Sequence, residues 1–231
     1  MQKCGLIGGI GPESTINYYA SITRLFRERS GTQSGPPIVI NSIDLPKMIA
    51  LIQREHFEAL ADYLGKSIEE CAAAGATFAA LGACTPHLVL EELRRGASIP
   101  LLSIVEVTRD RAVRLGVRRA ALFGTRFTMQ AQFFPRVFAD AGISIVPPAG
   151  AEQDYIHEKY FAELVNGVVL PDTRAHLIDI VSEIKIRENV DALILGGTEL
   201  SLILSGESIC GIHLLDTTAI HVQAITERML Q

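Results

Sequence analysis

Four segments of the chain put chemically capable side chains directly after an apolar run. They are Gly8-Gly9-Ile10-Gly11-Pro12-Glu13, Gly82-Ala83-Cys84-Thr85-Pro86-His87, Gly124-Thr125-Arg126-Phe127-Thr128 and Gly196-Gly197-Thr198-Glu199. In the first, glycines allow close backbone approach to a ligand and Pro12 opens a helix. The unpaired amides and partial positive charge of a first helical turn favour a carboxylate or phosphate. In the second, Cys84 and His87 could move a proton while Thr85 holds an anion; a buried structural thiol beside a capping Thr fits the same residues. Thr125 and Thr128 suit carboxylate binding, and they equally suit simple N-capping. Glu199 is either an acid–base group or a first-turn charge favoured by the helix dipole. Lys47 and Arg54 read as solvated surface charges, His221 as core or capping, and Asp44 as open.

Strands and helices must alternate to position such loops. Apolar spacing predicts a helix over 12–29, with Ile16, Tyr19, Ile22, Leu25 and Phe26 on one face. A strand over 38–40, a helix over 55–74, a strand over 77–81, a helix over 88–95 and a short strand over 99–102 follow. The order then repeats: helix 106–115, strand 119–123, helix 128–141, strand 143–146, helices 154–166 and 172–188, strand 191–195 and a short helix over 198–204. A strand over 214–215 ends at Asp216, and a helix over 217–230 closes the chain. Strands alternating with helices imply parallel sheets covered on both faces. The expectation is an α/β protein of two similar, pseudo-symmetric lobes. The first comprises 1–100 plus 210–231 and the second 101–209, each a mostly parallel sheet flanked by helices, with the site between lobes. Ligand sites in such sheets lie beyond the carboxyl ends of the strands.

Composition narrows the function classes. With 231 residues, 48% of them hydrophobic, the chain can bury a full core. A net charge of −5 and no basic run argue against nucleic acid as the main partner. No apolar stretch of about 18 or more residues suggests a membrane span. The four cysteines lack C-x-x-C spacing, which reads as free thiols in a cytoplasmic protein without a zinc motif. A dinucleotide fingerprint fails, because Ser14 stands where the third glycine belongs. That disfavours a nicotinamide-dependent oxidoreductase.

The whole chain resembles the aspartate/glutamate racemase superfamily, and most of all its broad-specificity amino-acid racemase branch. The head Gly5–Thr15 is similar to that branch's G-L-[IL]-G-G-M-x-x-E-S-T, with Ile10 for the Met. Leu122-Phe123-Gly124-Thr125-Arg126-Phe127-Thr128-Met129 and Asp216-Thr217-Thr218-Ala219-Ile220-His221 are also close. The resemblance implies isomerase chemistry without cofactor or metal, a small amino acid or dicarboxylic acid as ligand, and a homodimer. It also implies one cysteine per lobe, in C-N-T-x-H and G-C-T-E, to move the α-proton. This chain departs there: Ala83 and Gly197 stand at the two cysteine positions, and Cys84 takes the place of the Asn. Neither Ala nor Gly can carry a proton. By the resemblance, Gly9, Ile10, Cys84 and Thr85 would hold one carboxylate with Thr198 and Glu199 nearby, and Thr125 and Thr128 would support the other end. The alternatives are a catalytically silent carboxylate binder, or a one-thiol decarboxylase, lyase or isomerase using Cys84. Cysteines restored at 83 and 197 are expected to create α-proton exchange.

Overall fold

The computed structural model describes Met1–Gln231. The chain divides into two units, Met1–Ile104 with His221–Gln231, and Val105–Ile220.

The first unit is built on β1 (Cys4–Gly8), β2 (Ile38–Ser42), β3 (Phe78–Leu81) and β4 (Leu101–Leu102), in the order β2-β1-β3-β4 and all parallel. β1 and β3 are buried at every residue, as expected of central strands covered on both faces. Around them lie α1 (Pro12–Ser30), α2 (Leu45–Gln53), α3 (Phe57–Ala73) and α4 (Leu90–Gly96). A 3-10 turn, Thr85–Val89, precedes α4.

α1 keeps the expected Ile22 and Phe26 inward but is rotated from the face its spacing predicts. Ser14, Tyr18, Ile22 and Phe26 are buried in an i, i+4 line, while Ile16 and Tyr19 are exposed. Tyr18 wins the inward place because its hydroxyl finds a buried partner, donating to His221 Nδ1 at 3.0 Å. α2 is absent from the expected elements. Its signal is Asp44, whose side chain accepts from Lys47 N at 2.9 Å, followed by a proline in the first turn.

The second unit repeats the plan. Its sheet order is β6-β5-β7-β9-β8, from β5 (Arg119–Phe123), β6 (Ser144–Val146), β7 (Ala192–Leu195), β8 (Ser208–Ile209) and β9 (Ile212–Asp216). All neighbours are parallel except the β8/β9 hairpin. Its helices are α5 (Ile104–Arg114), α6 (Arg126–Gln130), α7 (Phe133–Ala139), α8 (Gly150–Ala162), α9 (Pro171–Glu188) and α10 (Leu200–Ile203). A single helix over 128–141 does not form. Pro135 has no amide to give the carbonyl four residues back, so the chain restarts and Pro135 falls in the first turn of α7. α8 begins four residues before the expected start because Ala149 N–H donates to Glu152 Oε2 at 2.6 Å.

The unit boundaries differ from the expected ones. Residues 210–220 belong to the second unit, because β9 pairs with β7 there. α11 (Thr217–Leu230) carries the chain back to the first unit from His221 onward. Val222, Ile225 and Met229 pack there against Cys4, Leu6, Tyr18, Ile22 and Phe78.

Candidate functional site

In each sheet the chain reverses its direction of travel between two central strands: β1 and β3 in the first unit, β5 and β7 in the second. That switch point is where loops diverge at the carboxyl ends and leave a crevice. The four segments singled out by residue type fall at these two switch points.

In the first unit the head loop is held from inside. Gly9 has φ +76°, and a Cβ there would lie 2.4 Å from Ile43 O. No other residue fits without moving β2's exit. Gly9 N–H donates to Thr15 Oγ1 at 2.9 Å, and Thr15 Oγ1 donates to Gly11 O at 3.2 Å. The Gly9 amide is therefore committed to Thr15, whereas the sequence reading assigns it to a ligand. Ile10 is buried beside it. Thr15→Ala leaves that amide without its hydroxyl acceptor. The variant should lose about 1–2 kcal/mol in urea unfolding, and an unchanged midpoint would show that the loop does not depend on Thr15.

Facing loop residues follow β3. Gly82 N–H donates to Ile7 O at 2.9 Å, tying this loop to β1. Ala83 and Cys84 are both buried, and Cys84 O accepts from His87 N at 3.0 Å and from His87 Nδ1 at 3.1 Å. The imidazole is thus fixed to the loop backbone. Thr85 opens the 3-10 turn, with Pro86 behind it.

In the second unit Thr125 caps α6. Thr128 N–H donates to Thr125 Oγ1 at 3.3 Å, and the two hydroxyls are 3.3 Å apart. The capping role is therefore realised, and it places both hydroxyls at the tip of β5. The tips of β5 and β7 meet: Gly196 N–H donates to Phe123 O at 2.7 Å, and a Cβ on Gly196 would come within 3.0 Å of Thr128 Cγ2. Thr128, Gly196, Gly197, Thr198 and Glu199 form one buried cluster.

The sequence reading expects a helix here but assigns none of its side chains to this cluster. α8 lays three side chains on the tips. Asp154 pairs with Arg126 at 2.7 Å, His157 Nδ1 accepts from Arg126 N at 3.2 Å, and Tyr160 Oη donates to Glu199 Oε2. Thr198 Oγ1 donates to the same Glu199 oxygen at 2.7 Å. The His157 imidazole is held below its usual range, first by burial and then by the Arg126 charge, with Asp154 opposing. Nothing in local spacing marks Tyr160. It reaches Glu199 across 39 residues of chain. Asp216, at the tip of β9, accepts from Thr218 N and Ala219 N at 2.9 and 3.1 Å and so opens α11. Burial nonetheless pushes its carboxyl above the usual range. No group of three or more His, Cys, Asp or Glu is arranged to hold a metal ion, and no helix is long and apolar enough to cross a membrane.

Two largely parallel sheets, each with hydroxyls and amides gathered at its switch point, define an α/β protein. The family model described as Asp/Glu/hydantoin racemase matches residues 7–225, and the chain belongs to that family. It is similar to the broad-specificity amino-acid racemase RacX of Bacillus subtilis, 25% identical over 214 residues, covering 87% of this chain and 86% of that one. The crystal structure of PH1733, an aspartate racemase homologue from Pyrococcus horikoshii OT3, is 28% identical with a TM-score of 0.89 over all of both chains. The Picrophilus torridus aspartate racemase, at 22% identity and TM-score 0.73 over 98% of this chain and 94% of that one, shares the fold.

Proposed function

We propose that the protein is a racemase-like member acting on aspartate, glutamate or a related small acid, and that it needs no cofactor. The observation that supports this most is the equivalent placement of hydroxyl-bearing loops at the switch point of each sheet, Thr85 in one and Thr125, Thr128 and Thr198 in the other. Hydroxyls and helix-turn amides are ordinary carboxylate ligands. Gly9 and Ile10 shape the head loop, and Glu199 is a buried carboxyl group beside Thr198 at the tip of β7. Cys84 is the proton carrier we assign to the first unit, since Ala83 has none to offer. The four cysteines are thiols, in keeping with a cytoplasmic setting, and a homodimer completes the reading by resemblance.

The residues at 83 and 197, Ala and Gly, favour one rival, a carboxylate binder without turnover. Incubation in D2O with L- and D-aspartate and L- and D-glutamate separates the two. Loss of the α-proton signal by NMR is expected for at least one of the four. A rise in melting temperature with no exchange at any pH would leave the binder standing and end the racemase reading.

A further inference from the structure

We infer that Tyr160 and Glu199 are the proton-transfer pair of the second unit, with the Tyr160 phenol standing in the space that a side chain at position 197 would fill. This rests on the racemase-like reading above. A Cβ built on Gly197 would lie 2.5 Å from Tyr160 Cε2, 3.1 Å from Cζ and 3.0 Å from Oη. Residue 197 and the phenol therefore compete for one volume. The resemblance puts a catalytic thiol at 197. Here that position has lost every side-chain atom, and an ionisable oxygen from α8 occupies the vacated place.

The phenol is fixed there. Its ring packs in the second unit's core beside Ile156, Leu164, Leu195 and Leu200, and its hydroxyl donates to Glu199 Oε2. Thr198 Oγ1 donates to that oxygen too, at 2.7 Å. Two donors therefore converge on one carboxylate oxygen.

The chemistry balances without an outside reagent. A free phenol is a weaker acid than a thiol, about 10 against about 8.5, and in its neutral form it is a poor base. Glu199, already hydrogen-bonded to the phenol, gives the phenol's own proton a place to go. As the substrate α-C–H bond breaks, its proton passes to Tyr160 Oη, and the phenol's own proton passes to Glu199 Oε2. The electron pair stays on the substrate, delocalised into its carboxylate. Return of the proton runs the same two transfers backward. A core role alone would be met by Phe at 160, which fills the same volume and offers no oxygen beside Gly197.

The test is α-proton exchange in D2O for each enantiomer of the acid that the wild-type protein turns over, followed by NMR. Tyr160→Phe should lower exchange of one enantiomer by about 100-fold or more, while the melting-temperature rise on adding that acid is retained. Glu199→Gln, which accepts a hydrogen bond and cannot take a proton, should give the same loss and covers the case in which Tyr160→Phe fails to fold. Cys84→Ser should act on the opposite enantiomer. Exchange at the wild-type rate in Tyr160→Phe, or in Glu199→Gln, overturns the pair and leaves the racemase reading intact. Absence of exchange in the wild-type protein with every acid tried overturns both.

Discussion

Gly197→Cys by itself should destabilise the protein by about 1–3 kcal/mol, the usual penalty for forcing atoms into a packed site. The smallest side chain places its first carbon 2.5 Å from the Tyr160 ring, nearer than van der Waals contact allows. The ring has little room to withdraw. It is 6% exposed, packed in the core and tied through its hydroxyl to Glu199. Relief must therefore come from residue 160. Tyr160→Ala opens a cavity and is destabilising alone, by about 3–5 kcal/mol. In the double variant the new thiol lies in that cavity, so the two losses should fall short of their sum by more than about 1 kcal/mol. Urea unfolding of the four proteins in the cycle measures the shortfall. Additive losses would mean that the two side chains do not share space. The expectation that cysteines at 83 and 197 restore exchange changes accordingly. With Tyr160 in place a thiol introduced at position 197 has nowhere to sit, and exchange carried by that thiol should appear only once residue 160 is made small.

This pair also marks the limit of what one strand of letters can disclose. Arg119–Phe123 and Thr217–Leu230 are legible to the residue, because each is a clean apolar or periodic run between unambiguous breakers. The loops after β1, β3, β5 and β7 are legible as polar loops at the ends of buried strands, but local bonds such as the Thr125 cap of α6 use the same groups that a ligand would. The face of α1 is misjudged from spacing because Tyr18 and Tyr19 score alike for burial, and only a partner 203 residues away distinguishes them. The Gly9 amide looks free for a ligand because Thr15, six residues on, is its acceptor only once α1 has turned back on the loop. Tyr160 escapes notice for the same reason in stronger form. Gly197 reads as a deletion of function until the fold brings a phenol into the emptied place.

Lowering the pH from 7 should destabilise the first unit well before its carboxylates titrate, and His221 is the cause. Its ring is wholly buried between Tyr18 and the end of β4. Leu102 O can only accept, so His221 Nε2 carries the proton and donates to it at 3.3 Å. Nδ1 is then the acceptor for the Tyr18 hydroxyl at 3.0 Å. Both ring nitrogens are satisfied in the neutral form, and a second proton would break the bond from Tyr18. Burial pushes the pKa down to about 3, with the nearby His87 adding to the effect and Leu102 O opposing it. In the unfolded chain the ring titrates near its ordinary 6.5. Between these values the unfolded state takes up a proton that the folded state refuses. Stability therefore falls with falling pH, by about 1.4 kcal/mol per unit, reaching roughly 2 kcal/mol by pH 5 and 4–5 kcal/mol near pH 3. Other groups contribute along the way. His157 acts in the same sense from its ordinary 6.5 downward. Glu152, held low by Arg187 and the Ala149 amide against its own burial, adds a loss only below about 4.5. Asp216, raised by burial, works in the opposite sense above 3.8. All three are common to wild type and a His221→Gln variant, whose amide offers a donor and an acceptor and does not titrate. Denaturant unfolding at pH 7, 6 and 5 should therefore show the variant less stable at pH 7 but with a shallower decline, the gap closing by about 2 kcal/mol at pH 5. Parallel declines in the two proteins would mean that His221 is not held neutral by its burial.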